Sequence, residues 1–189
     1  ISGLKELLVG FMIGYIIQLF LSVIIMGGEM SDVQVGISMS KIYDPQSDVS
    51  MPLSASVLNA MYLLMFFATN AHLTMIQVFV RLSAVVPYGD GLELNAGLFG
   101  GLAALLGQML VYAVQLSLPM VAVQLLGEIG TGLVMRAVPQ IDIFTVQIQL
   151  KILIGFLVML ILVPPYASFL ERLTTLMFDR ISGLYAALA

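Results

Sequence analysis

KIYDPQSDVSMP, residues 41–52, separates two hydrophobic runs that are each long enough to cross a bilayer, and its reading decides the fold. Pro45 drives Asp44 out of the helical region and Pro52 has no backbone N–H to donate, so a loop with hard ends is predicted here rather than a frayed helix. On either side the chain is uncharged for long stretches, 22 residues over 7–28 and 32 residues over 49–80. A further 34 uncharged residues follow over 94–127, and a fourth apolar stretch, 152–170, comes directly after Lys151. The first three exceed the roughly 20 residues that span a hydrocarbon core of about 30 Å. A polar loop inside so apolar a chain must face water or the interior of an assembly.

Composition points the same way, with 60% hydrophobic residues, 10% charged residues and a mean hydropathy of +1.07. The predicted fold class is all-α, a polytopic membrane-type protein of long, bent helical hairpins. A net charge of -4 without any basic run excludes nucleic acid as a partner, because phosphate recognition needs clustered Lys and Arg. The absence of cysteine excludes disulfides, thiolate metal sites and thiol catalysis. The chain opens on Ile1 rather than Met, so a fragment or processed product is expected, with N-terminal hydrophobic sequence upstream. Lys5 and the apolar run after it are too long for the core of a cleavable signal peptide.

The first helix is expected to start near Ser2, to be apolar all round through Met26, and to continue into a polar end carrying Glu29, Asp32 and Gln34. Gly10 and Gly14 lie four apart on one face, and Gly97 with Gly101 repeat the spacing. Small residues so placed let helix backbones approach closely in lipid. The second segment should begin at Ser54, as a cap after Pro52, and end near Val86 before the turn at 87–91. Thr69, Asn70 and His72 interrupt it, which predicts a bend or two half-helices. His72 has no second His or Cys to share a metal with, so a hydrogen-bonded structural role is favoured over a ligand or proton relay.

The third segment, 94–127, is about 51 Å long as one helix and must tilt, bend at Pro119 or leave the bilayer. Its amides Gln108, Gln115 and Gln124 either join helices or line a hydrated passage. RAVPQID, residues 136–142, makes the tip of a helical hairpin, with Pro139 ending one helix ahead of the next. Lys151 lies inside the returning helix, where it could reach water by snorkelling. Pro164 and Pro165 break that helix, and the remainder reads as an interfacial or assembly-facing helix with a solvated charged face. No phosphate loop, metal motif or activated nucleophile occurs, so no catalytic, cofactor or metal site is assigned.

The stretch GEMSDVQVGISMSKIYDPQS, then MPLSASVLNAMYLLMF and NAHL, resembles the FliR family of flagellar type III export gate proteins. PYG at 87–89 and GLVMRAVPQIDIFTVQIQLKILIGFLVMLILVPP in the second half look like that family's turn and its Arg-x-x-Pro-Gln hairpin. The resemblance covers essentially the whole chain. Flagellar members often have Gly where this chain has Ala71. The resemblance implies a hetero-oligomeric gate in the bacterial inner membrane, within the flagellar basal body, assembled with FliP and FliQ and contacted by FlhB and FlhA. Unfolded flagellar proteins would be its substrates and lipid its surroundings. It implies a FliP-like part over 1–87 and a FliQ-like hairpin part with a C-terminal helix over 88–189. The pore or plug loop falls on 43–52, with Tyr43, Asp44, Pro45, Gln46, Ser47 and Pro52. The hairpin tip is Arg136, Pro139, Gln140 and Asp142. The paralogous subunit of virulence type III secretion, and a polytopic transporter or channel acting alone, are the alternatives.

Overall fold

A computed structural model describes residues 2–36, 52–85, 96–137 and 143–188. Their regular structure is entirely helical: α1 Ser2–Val35, α2 Leu53–Ala68, α3 Ala71–Val85, α4 Ala96–Ala137, α5 Ile143–Ile161 and α6 Val163–Leu188. Two helices, over Leu7–Val35 and Gly100–Val134, are long and apolar enough to cross a membrane, and up to four spans result if each of two bent helix pairs counts as one. The polytopic all-α reading therefore holds.

α1 contains no Pro and runs past its apolar stretch into the polar end, as expected. It stops at Gly36, whose φ of 85° suits a residue without Cβ and whose N–H donates to the Asp32 carbonyl at 3.0 Å. α4 is longer than expected. Its 42 residues, about 63 Å at 1.5 Å per residue, continue through Pro119 to Ala137.

The second segment is broken where Thr69 and Asn70 were expected to break it, and α2 and α3 meet at 71°. Asn70 takes φ 58°, a left-handed conformation that Asn tolerates better than other residues with a Cβ. Its N–H donates to Phe67 O at 3.2 Å, closing α2, and its own carbonyl accepts from Leu73 N at 3.0 Å, opening α3. The special backbone residue is thus Asn70 and not its neighbour, so Ala71 in place of Gly carries no conformational cost. Asn70→Gly should leave the melting temperature in detergent nearly unchanged, whereas Asn70→Val should lower stability by about 1–3 kcal/mol.

Two expected boundaries move. α2 begins at Leu53, and the Pro52 carbonyl already accepts from Ser56 N at 2.9 Å, so Ser54 lies in the first turn and is not the cap. The break between α5 and α6 falls at Leu162, just before Pro164 and Pro165. Prolines lack the N–H that would continue the ladder and their rings crowd the carbonyls four residues back, at 160 and 161. In the first turn of α6 those missing donors cost nothing.

The helices pack as two compact units, 1–23 with 61–111 and 167–189, and 24–60 with 112–166. Each draws on both halves of the chain, a different division from 1–87 and 88–189. In the first unit α1 buries Val9, Met12, Ile13, Ile16 and Phe20, and α6 buries Leu170, Leu173, Met177 and Ile181, both at helical spacing. Glu171, Arg172, Asp179 and Arg180 stay exposed on α6, the solvated face predicted for it.

The second unit holds the hairpin. Gln124, Gly127 and Glu128 of α4 meet Lys151 and Ile154 of α5, and Met120 shares a core with Val35 and Val158. Partners move up one helix as they move down the other, so α4 and α5 are antiparallel.

Candidate functional site

The site is the neck of segment 37–51, where α1 ends and α2 begins. Gly28 brings the two backbones together: a Cβ built on it would lie 2.4 Å from Ala55 Cα and 2.5 Å from Ala55 N. Gly27, one residue earlier, makes room for the Leu116 side chain of α4, since a Cβ there would lie 2.7 Å from Leu116 Cδ2. One turn on, the Asp32 side chain, 3% exposed, reaches the first turn of α2. Both its carboxylate oxygens lie 3.1 Å from Ser54 N, and the Ser54 hydroxyl donates to Oδ1. The N–H groups of a helix's first turn have no partner within the helix, and its dipole favours negative charge, so a carboxylate from another helix suits this position. Ser31 Oγ, also buried, donates to Gly27 O at 2.9 Å, which satisfies it within α1.

Asp32 therefore acts on both sides of the neck, through its backbone carbonyl on Gly36 and through its side chain on Ser54. The sequence pointed to Asp32 only as part of a polar helix end. The available signal was an acidic residue one turn before a helix-ending Gly, followed across the loop by Pro-Leu-Ser.

A second polar cluster lies in the hairpin. Gln124, fully buried, donates from Nε2 to Lys151 O at 3.1 Å, while its Oε1 has no partner. Lys151 does not snorkel freely. It is ion-paired with Glu128, at side-chain exposures of 24% and 33%. Gly155 leaves room beside it, since a Cβ there would meet Val35 Cγ1 at 2.7 Å and Gln124 Nε2 at 3.1 Å. In the first unit Gln108 accepts from Arg180 Nη2 at 3.1 Å. Gln108 and Gln124 thus work as bonds between helices, and Gln115 is exposed.

Of the plug-loop residues, Pro52 is buried and its carbonyl also accepts from Ser56 Oγ at 2.9 Å. Tyr43, Asp44, Pro45, Gln46 and Ser47 lie outside the described residues. Arg136 is exposed in the last turn of α4, and Pro139, Gln140 and Asp142 lie outside the described residues. A Cβ at Gly10, Gly14 or Gly101 would meet nothing within 4 Å, so these three glycines are not points of close packing within the chain. Gly97 falls in the first turn of α4.

His72 differs from expectation. Its Nδ1 is buried without a hydrogen-bond partner, and its ring packs 5.2 Å from that of Phe67. Beside this kink a cavity of about 220 Å³ is lined by Met65, Thr69, Thr74, Glu171, Thr174 and Phe178 among others. Among the described residues no three His, Cys, Asp or Glu side chains are grouped to hold a metal ion.

Residues 1–177 match the family described as bacterial export proteins, family 1. The chain is similar to the flagellar biosynthetic protein FliR of Escherichia coli (strain K12), 28% identical over 186 residues that cover 98% of this chain and 71% of that protein. It is similar to FliR of Bacillus subtilis (strain 168), 29% identical over 164 residues, 83% of this chain and 61% of that protein. It is also similar to the surface presentation of antigens protein SpaR of Salmonella typhimurium, 27% identical over 162 residues, 86% of this chain and 60% of that protein. The chain spans between 60% and 71% of the length of these relatives.

Proposed function

The chain belongs to the bacterial export proteins of family 1, and from that premise we propose that it is a structural, non-enzymatic subunit of a flagellar type III export gate. In this reading it sits in the inner membrane at the flagellar basal body and helps to form the channel through which unfolded flagellar proteins leave the cell. FliP and FliQ are its sister subunits, FlhB and FlhA its further contacts. Segment 43–52 narrows the passage, and the hairpin tip at Arg136, Pro139, Gln140 and Asp142 meets a neighbouring component.

The observation that carries this reading is the neck. The helices that flank a polar stretch of the sequence are joined by Asp32 and Ser54 and by the Gly28–Ala55 contact. Large apolar side chains left exposed in each unit agree with an assembly partner or lipid on the outside: Leu64 is 74% exposed, Ile161 73%, Phe11 68% and Leu126 67%. The open faces at Gly10, Gly14 and Gly101 are where a neighbouring subunit's helices approach. SpaR similarity supports a second reading, the corresponding subunit of a virulence secretion system.

Both claims are tested in one preparation. Tagged chain expressed with its genomic neighbours and purified in mild detergent should bring down two other small membrane proteins. A self-only oligomer that moves a small solute instead identifies a transporter. In the assembled complex, deletion of residues 44–50 should preserve assembly and make the gate leak ions or small solutes. Unchanged permeability removes the plug from the reading.

A further inference from the structure

We propose that the cavity beside the kink of α2 and α3 binds a primary alkylammonium group, the chemistry of a lysine side chain or of a small free amine. The cavity, about 220 Å³, lies within the first unit, between the kink and α6. Four of the chain's six threonines line it, Thr69 and Thr74 from the kink and Thr174 and Thr175 from α6. The other two, Thr131 and Thr145, belong to the second unit.

Three of the four hydroxyls already use their proton. Thr69 Oγ1 donates to Met65 O at 2.9 Å, Thr174 Oγ1 to Leu170 O at 2.8 Å and Thr175 Oγ1 to Glu171 O at 3.1 Å, each to the carbonyl four residues back in its own helix. A hydroxyl that donates in this way has only lone pairs left to offer. Thr174 also shares a hydrogen bond with the Tyr62 side chain, so Thr69 and Thr175, both exposed, have the more available oxygens. Glu171 adds a carboxylate, which among the described residues has no ion pair and no side-chain hydrogen bond.

The lining is therefore rich in acceptors and poor in donors, with one negative charge at its edge. A ligand that fits brings its own N–H groups and a positive charge, and a primary ammonium brings three donors on one charge. An anion would meet Glu171 and find no cation among the described lining residues. A bare metal ion would fill little of the space and have a single carboxylate to hold it. Met65, Ala71 and Phe178 form the apolar part of the wall, which suits the methylene stem of an alkylammonium, and an aromatic ring attracts its charged head.

The probe is n-butylammonium, the end of a lysine side chain as a free ion. In the purified protein labelled at its threonine methyls, titration followed by nuclear magnetic resonance should shift Thr69, Thr74, Thr174 and Thr175 and leave Thr131 and Thr145 in place. Tetramethylammonium, which has the same charge and no N–H, should shift none of them at equal concentration. Glu171→Gln, and Thr69→Val with Thr175→Val, change only exposed side chains and should each weaken the butylammonium response about threefold to tenfold, the scale of a modest hydrogen bond or exposed ion pair. Unmoved Thr131 and Thr145 signals verify that the variants are folded.

No response to butylammonium, equal shifts with both ions, a response spread over all six threonines, or unchanged affinity in both variants overturns the inference. The same titration on the complex purified with its genomic neighbours identifies the source. A response lost there means that a neighbouring subunit fills the site with its own lysine, and a response kept means that a free amine reaches it. The isolated protein decides the site whether or not the gate reading stands.

Discussion

Gly28→Val is expected to abolish stable folding of the second unit, with a loss of about 3 kcal/mol or more. The Cβ that any substitution introduces would lie 2.4 Å from Ala55 Cα, and the obstacle is backbone, which cannot swing aside as a side chain can. Valine adds two methyl groups to that collision. α1 and α2 would have to separate, which also draws Ser54 away from Asp32 and adds the loss of a helix cap, typically about 1 kcal/mol. Gly10→Ala is the control. Nothing lies within 4 Å of its Cβ, and alanine favours the helix by about 0.5–1 kcal/mol. Thermal unfolding in detergent should therefore separate the two variants widely, and a Gly28→Val protein that melts with the parent would mean that the α1–α2 contact is absent.

Lys151→Met is expected to be the next most damaging change, because it strands the Glu128 carboxylate on an apolar hairpin. Breaking a buried ion pair by removing one partner costs about 3–5 kcal/mol, and an exposed pair is worth about 1 kcal/mol or less. With side-chain exposures of 24% and 33% the pair lies between these limits. A loss of about 1–3 kcal/mol follows. Glu128→Gln should cost less, since a neutral amide is cheaper to bury than a carboxylate. The charge exchange, Glu128→Lys with Lys151→Glu, should recover most of the stability, and a double-mutant cycle measures the coupling directly. Additive effects in that cycle would show that the two residues do not act together.

The two changes strike features of different legibility. That two helices pack antiparallel could be read from RAVPQID and the apolar runs beside it. The pairing of Lys151 with Glu128 could not, since a lone lysine in an apolar helix fits snorkelling equally well until the facing helix is rotated into place. The kink was legible because Thr69, Asn70 and His72 interrupt an otherwise uniform run, and Asn is among the few residues at ease in the left-handed region. His72 was not: its hydrogen bonding depends on which neighbours the 71° bend brings near its ring.

Glycine makes the limit plainest. Gly10 and Gly14 have the spacing of a packing motif, yet their faces are open within this chain, while Gly27, Gly28 and Gly155 carry the close contacts. A helix that is apolar all round offers no periodicity to say which side is buried. By itself the sequence determined that this is an all-helical membrane-type chain and that its second segment breaks at Thr69 and Asn70, because those follow from hydropathy and from the local chemistry of Asn. Only the tertiary structure decided which faces meet, and with that the union of Asp32 and Ser54 across the neck, because the rotation of one apolar helix against another is set by contacts 22 residues and more apart in the chain.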